Sequence, residues 1–477
     1  MRKSRFLLFV MLVVVVGGLI FLLDGSKGKK EARPLSTFGV IDEAYDIIQK
    51  KAVYPLEEEE LIEGALRGMA DAIGDRYSTY LTKDEAAAHR ESLASERIGI
   101  GAEITRSNGK FIIVAPVKSS PADKAGLRPY DEIIRIDDEG IEGDSLQEVV
   151  KRIRGKQGTS LKMTIYRPEL NKHLEISITR DAIPVATVSS EMIEEKSRKV
   201  GYISITTFGE ETAKEWKTAT DAVFAKEAEA IIIDLRGNPG GYLHSVSEIA
   251  GSMLTEDTVF AYMEDPAGAL SPLVVEKSEE IDYDERLKQI PIVVLQDKGS
   301  ASASEVLSGA LQDLRRGILA GTQSFGKGTV QDTTELSNGG EIKLSTHKWL
   351  TPKETWIHGK GIAVDLEVQQ NELFSEHIRL VTVDYTEGDY HEDIAYAQRL
   401  LVRLGYKLGR EDGYFDKETK GALKDFRKDA KIEGKANMDR EFFVALKKQV
   451  ETFREDRKND AQLAMVIDYL LHELKAK

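Results

Sequence analysis

Residues 299–331, GSASASEVLSGALQDLRRGILAGTQSFGKGTVQ, constrain this chain more than any other stretch. Ser300, Ser302 and Ser304 alternate with small residues at its start. Val306, Leu307, Ala310, Leu311 and Leu314 then recur with helical spacing, and an apolar run at 318–320 reads as a short strand. Lys327 follows between Gly326 and Gly328, and a further strand carries Gln331. This pattern predicts a hydroxyl at a helix N-terminus, with an amine brought back beside it by a helix-and-strand excursion. A serine hydroxyl is a weak nucleophile at neutral pH and needs an adjacent base. Lysine can be that base when desolvation disfavours its charged form, and flanking glycines let backbone pack closely around it.

Two other patterns overlap these residues. Ser302 with Glu305 three positions on is a capping box, a purely structural use of both side chains. The two roles are compatible, because helix N-terminal amides also suit an anionic intermediate. Ser324-Phe325-Gly326-Lys327 matches an S-x-x-K motif, which needs one helical turn between serine and lysine. Gly326 and Gly328 oppose a helix there, and neither S-D-N nor K-T-G follows. That match is rejected.

Together, SASASE and F-G-K-G-x-V-Q resemble the carboxyl-terminal processing (tail-specific) peptidase family, membrane-anchored bacterial serine proteases with a Ser–Lys pair. The resemblance implies Ser302 as nucleophile, Lys327 as general base and Gln331 as the residue that positions the lysine amine. The residues by themselves leave Ser300, Ser302 and Ser304 open.

A chain of 477 residues exceeds what one core usually holds, so several domains are expected. With 41% hydrophobic and 31% charged residues its composition is that of a folded body. The net charge of −15, with basic residues dispersed rather than striped, argues against nucleic acid as a partner. The absence of cysteine excludes disulfides and thiol catalysis. The eight histidines form no H-E-x-x-H pattern, so no metal and no cofactor are expected.

Arg2, Lys3 and Arg5 precede an uncharged apolar run at 6–23. As a helix this run reaches ~27 Å, close to the hydrocarbon thickness of a bilayer. No A-x-A-like site follows it. The expectation is a cytoplasmic n-region (1–5) and an uncleaved transmembrane anchor (6–23) in a bacterial cell membrane, with the catalytic body on the extracytoplasmic side. Lys27, Lys29 and Lys30 on the far side weaken the charge argument. A polar tether (24–34) leads to a helical segment (35–95), for which the resemblance implies a homodimer contact.

Residues 96–181 change to strand patterns. Gly126 and Leu127, followed by Asp131, Ile133 and Ile136, resemble a PDZ domain of the protease-associated type. Such a domain adds a peptide as an extra strand, and successive amides around Gly99, Ile100 and Gly101 would form a nest for its terminal carboxylate. Arg97 is a further candidate for steering that carboxylate. Protein or peptide substrates with free C-termini are the expected partners.

Residues 182–372 alternate strands and helices, which argues an α/β layered core. The resemblance sharpens this to a crotonase-like β–α spiral protease core with the PDZ domain inserted. In Asp234-Leu235-Arg236-Gly237-Asn238-Pro239-Gly240-Gly241 a strand turns into a helix, and amides of Gly240 and Gly241 are candidates for an oxyanion hole. Gly359-Lys360-Gly361-Ile362-Ala363-Val364-Asp365 parallels the family's closing motif, with Val364 where proline is usual. Residues 385–450 resemble a small peptidoglycan-binding helical module, and 460–477 carry an apolar stripe (Leu463, Val466, Ile467, Leu470, Leu471, Leu474) that should dock.

The expected fold class is therefore α/β multidomain with helical N- and C-terminal parts, and the expected function is a membrane-anchored serine endopeptidase. Two rival readings remain. A Ser–His–Asp hydrolase would use His244, His347 or His358, but no G-x-S-x-G elbow surrounds Ser302. A silent scaffold joining PDZ and wall-binding modules sits poorly with the combination of Ser302, Lys327 and Gln331.

Overall fold

A computed structural model describes residues 39–476 apart from positions 55, 94, 95, 108, 118, 185, 279, 377 and 380. The chain divides into two units between Tyr80 and Leu81. In the first, helices Gly39–Lys51 and Glu58–Asp71 leave Val40, Ile41, Ile47, Ile48, Ile62 and Met69 exposed.

The anchor expected over 6–23, and with it the single-pass membrane location, is corrected on one finding. Among the described residues no helix is long and apolar enough to cross a membrane. The longest, Arg440–Glu455 and Ala461–Ala476, have 16 residues each and reach only ~24 Å against ~30 Å of hydrocarbon. Residues 6–23, with the n-region and the tether, lie outside the described residues.

The second unit opens with helix Lys83–Leu93, and the PDZ-like body follows. Its strands Ala102–Ser107, Lys110–Pro116, Glu132–Ile136, Ser160–Arg167 and Lys172–Thr179 pair antiparallel in that order. Alternate residues of Ser160–Arg167 turn inward, so Leu161, Met163 and Ile165 join Ile113, Ile133, Ile136 and Val149 in one core. Helix Leu146–Ile153 starts with a full capping box between Ser145 and Glu148. Strands Glu96–Gly99 and Asp181–Pro184 pair with each other, so the body is entered and left through one two-stranded ribbon.

The largest body of the second unit is built on a six-stranded sheet whose spatial order equals chain order: Val188–Glu195, Arg198–Ile205, Ala230–Asp234, Ile292–Gln296, Ile318–Gly321, Leu366–Glu367. The first pair is antiparallel and the rest are parallel. Strands Ala230–Asp234 and Ile292–Gln296 are buried throughout, as central parallel strands covered on both faces must be. Ile231, Ile233, Ile292 and Val294 face helices Thr212–Ala225, Leu243–Met253 and Ala303–Asp313. Ala230, Ile232, Val293 and Leu295 face the other way, onto Leu463, Val466, Leu470 and Leu471 of the last helix, Ala461–Ala476. A second antiparallel sheet sets Glu341–Leu350 between Thr329–Glu335 and Val259–Glu264.

Helices Glu392–Arg403, Lys417–Asp429 and Arg440–Glu455 enclose a separate core around Leu401, Phe415, Phe426 and Phe442. Asp416 and Asp439 cap the second and third of them, accepting from Thr419 and Phe442 N–H at 2.8 and 2.9 Å.

Candidate active site

The loop after Ala230–Asp234 is stitched to the start of helix Ala303–Asp313. Asn238 is fully buried: its side-chain amide donates to the Ile205 carbonyl at 2.8 Å, and its Oδ1 accepts the Gly240 N–H at 2.8 Å. Its backbone carbonyl accepts from Ala301 N–H at 3.0 Å and from Ser304 Oγ at 2.9 Å. Ser300 Oγ donates to the Leu235 carbonyl at 2.8 Å. The hydroxyls of Ser300 and Ser304 are thus buried and engaged, whereas Ser302 between them is half-buried.

Ser302 stands at φ 55°, ψ −117°, a conformation that costs a residue with a side chain on the order of 1–3 kcal/mol and is held only where surroundings impose it. Gly240 (φ 100°) supplies those surroundings: a Cβ there would meet the Ala301 carbonyl oxygen at 2.7 Å and Ser302 Cβ and Ala303 N at 2.9 Å. Gly241 (φ 148°) presses on the Phe208 carbonyl, 2.1 Å from where a Cβ would sit. Both positions therefore require glycine. The Gly240 N–H, one of the two amides expected at an oxyanion hole, donates to Asn238 Oδ1. Among the described residues the N–H groups of Gly241 and Ala303 donate to no group.

Lys327 is half-buried in a loop whose two glycines lie close against residues 356–361. Trp349 Nε1 donates to its carbonyl at 2.8 Å. Its own N–H donates to Glu305 Oε2 at 2.8 Å, the oxygen that also accepts the Ser302 N–H at 2.9 Å. Glu305 Oε1 accepts from Ser324 Oγ at 2.5 Å and Gly326 N–H at 2.7 Å. Ser324 Oγ in turn accepts the Ile362 N–H at 2.7 Å, in an irregular segment rather than a helix. Glu305, legible in the sequence only as a cap, is a fully buried carboxylate joining the Ser302 turn to the Lys327 loop.

Gln331 lies on Thr329–Glu335 at a break in its register with Glu341–Leu350. Its Nε2 donates to Thr329 Oγ1 at 2.9 Å and Ser345 Oγ at 3.1 Å, so both amide protons are engaged and the carbonyl end is left as an acceptor. His244 is exposed, His347 Nδ1 shares a hydrogen bond with Thr346 Oγ1 at 3.0 Å, and His358 stacks on Trp356. A residue the sequence did not suggest is His89, whose Nε2 lies 3.3 Å from Lys343 Nζ. Burial, then the charges of Lys343, Lys327 and Arg90, push His89 below the ordinary histidine pKa, and burial lowers Lys343 as well.

In the PDZ-like body, Gly99, Ile100 and Gly101 line a groove of about 630 Å³ with Ile104, Val117 and Val150. The Ile100 carbonyl accepts from Ala122 N–H at 2.7 Å, and the Gly101 carbonyl from Val117 N–H at 2.8 Å and Ser120 Oγ at 2.9 Å. The N–H groups of Ile100 and Gly101 have no acceptor among the described residues. Arg97 pairs with Ile183 in the ribbon, and its side chain lies outside the described side chains.

Comparison with known proteins accounts for all these parts. Family models match as peptidase family S41 over 199–368, a PDZ domain over 98–178, a CtpB N-terminal domain over 23–85 and a peptidoglycan binding domain over 390–446. The carboxy-terminal processing protease CtpB of Bacillus subtilis is 38% identical, covering 97% of this chain and 98% of its own length. CtpA of the same organism is 33% identical, covering 99% and 100%. Among solved structures, the photosystem II D1 C-terminal processing protease matches at 25% identity with a TM-score of 0.43, over 70% of this chain and 87% of that one. Near-complete coverage by the two Bacillus subtilis proteases, with the S41 model lying across the loops of Ser302 and Lys327, establishes that this chain belongs to peptidase family S41, the family of the carboxy-terminal processing serine proteases.

Proposed function

We propose that the chain is an endopeptidase that captures a free protein C-terminus in its PDZ groove and cuts by a Ser302–Lys327 pair. The observation that carries this reading is the Glu305 carboxylate, whose one oxygen ties the backbones of both residues. Ser302 Oγ attacks the scissile carbonyl carbon while its proton passes to the neutral Lys327 amine. Collapse of the tetrahedral intermediate breaks the C–N bond, and Lys327 returns the proton to the departing amine. Water then repeats the sequence on the acyl-serine. Gln331 offers its carbonyl oxygen to a lysine N–H, turning the amine lone pair toward Ser302. The Gly240–Gly241 loop, through the Gly241 N–H, and the Ala303 N–H hold the oxyanion.

Amides of Ile100 and Gly101 receive the terminal carboxylate, and the apolar groove beside them receives side chains of the added strand. Exposed apolar positions of helices Gly39–Lys51 and Glu58–Asp71 support a homodimer contact. The helical module supports a contact with peptidoglycan, by its match to that domain family. The deciding experiment compares peptide hydrolysis and fluorophosphonate labelling of the full chain with its Ser302→Ala variant. Retained turnover in Ser302→Ala would refute the assignment.

A further inference from the structure

The helical module is not appended beyond the peptidase body but inserted within it. Strand Leu366–Glu367 closes one edge of the core sheet, the chain leaves through the module, and Ala461–Ala476 returns to cover the sheet's second face. The points of exit and return are joined. Gln370 Nε2 donates to Asp460 Oδ1 at 2.7 Å, Ala461 N–H donates to Gln370 Oε1 at 3.3 Å, and Gln462 Nε2 donates to the Val368 carbonyl at 2.8 Å.

Asp460 starts the returning helix, accepting the Leu463 N–H on Oδ1 at 2.9 Å. Its two oxygens also take the forked end of the Arg236 guanidinium, Nη1 at 2.9 Å and Nη2 at 2.8 Å. Arg236 Nε donates to both oxygens of Asp234 at 3.0 Å, and Tyr202 OH donates to the same carboxylate at 2.5 Å. Asp234 and Asp460 are buried. Burial alone would raise the Asp460 carboxyl, but hydrogen bonds and charge from Arg236 outweigh it and hold it below the usual range. A two-pronged arginine fork fixes orientation as well as distance.

Arg236 is the first residue after Leu235 in the loop that ends at Gly240 and Gly241. In that loop the Gly237 N–H donates to Asp297 Oδ1 at 2.8 Å and the Gly240 carbonyl accepts from Phe208 N–H at 3.0 Å and Thr207 Oγ1 at 2.9 Å, and two side chains of the loop itself anchor it further. One is Asn238, which seats it on the Ser302 turn; the other is Arg236, held between the strand carboxylate and the returning helix. We propose that Asp460 is a positioning residue for the peptidase reaction, holding through Arg236 the loop that presents the Gly241 N–H to the oxyanion. This inference rests on the reading of that loop as the oxyanion site. It makes the returning helix part of the catalytic machinery as well as a cover for the sheet. A donor acts fully only at the place where charge develops, so a loop that drifts loses transition-state binding more than substrate binding.

The test uses the full chain with Asp460→Asn, which keeps the shape and leaves Arg236 paired with Asp234, and with Asp460→Glu as a second variant that keeps the charge. Steady-state hydrolysis of a peptide with a free C-terminus, inhibition by the matching peptide aldehyde and thermal unfolding are measured for each. The aldehyde bonds to Ser302 Oγ and places its oxygen where the oxyanion forms. In Asp460→Asn, kcat should fall ~10–100-fold with KM little changed, and aldehyde affinity should weaken by the same factor. Asp460→Glu should recover part of both. Unchanged kcat and aldehyde affinity would overturn the role of Asp460 and leave the oxyanion reading standing. A fall in kcat with unchanged aldehyde affinity would overturn the oxyanion reading itself. A collapse of the melting temperature in both variants, with kcat and KM changing together, would reduce Asp460 to a structural clip.

Discussion

Ser302 and Lys327 donate their backbone N–H groups to one oxygen, Glu305 Oε2, at 2.9 and 2.8 Å. The distance between their two nitrogens cannot exceed those two bonds laid end to end. The other carboxylate oxygen holds Ser324 and Gly326, so four donors converge on a group with no exposed surface. Glu305→Gln replaces one acceptor oxygen by an N–H₂ group and leaves at least one of those donors unpaired. The expected cost is ~1–3 kcal/mol of stability, seen in denaturant unfolding, with a fall in kcat of tenfold or more. Wild-type kcat in a folded Glu305→Gln would show that the carboxylate does not set the Ser302–Lys327 geometry.

Lys327→Ala should remove activity with the fold intact, and Lys327→Arg should be equally inactive, because guanidinium cannot accept a proton near neutral pH. Gln331→Ala should fall between, since it misplaces the amine without deleting it. Single substitutions of His244, His347 or His358 should leave most turnover. Substantial hydrolysis by Lys327→Arg, or complete loss in one well-folded histidine variant, would overturn the Ser–Lys assignment.

Amidating a substrate's C-terminus should raise KM or abolish cleavage if the amides of Ile100 and Gly101 receive a carboxylate. Gly101→Ala should act in the same direction on acid peptides. At φ 72° its Cβ would lie 2.4 Å from Ser120 Cβ, so the turn must shift. Equal cleavage of acid and amide peptides would remove the PDZ groove from substrate capture.

His89 gives a pH signature. Its folded pKa lies below the unfolded value of ~6.5, so between the two the unfolded chain binds the proton and the folded chain does not. Stability should therefore fall as pH drops through ~6.5 and level off once the depressed folded value is passed. His89→Gln should flatten that slope in melting curves recorded from neutral pH down through ~6.5. An unchanged slope would place the titration elsewhere.

How far the chain was legible depends on the range of the forces involved. The strands Ala230–Asp234 and Ile292–Gln296, the amphipathic helix Ala303–Asp313 and the stripe on Ala461–Ala476 could all be read from hydrophobic spacing, because burial acts residue by residue on a regular backbone. The motif pair around Ser302 and Lys327 was equally legible, since each half is a contiguous string of residues. The use of each serine was not. Ser300 and Ser304 are tied down by the Leu235 and Asn238 carbonyls, which come from another strand's loop, and local spacing carries no record of them.

The same limit explains Glu305, Gly240 and Asp460. Ser302-x-x-Glu305 is a complete local explanation of the glutamate, yet three of its four donors belong to a loop that only the fold brings near. The glycine pair could be found as a turn, but Asn238 decides that Gly240 is engaged and Gly241 is not. The stripe on the last helix announced that it would dock. That it docks on the second face of the catalytic sheet, with Asp460 against Arg236, was decided by the tertiary structure, because a buried hydrogen-bonded ion pair depends on partners far apart in the chain.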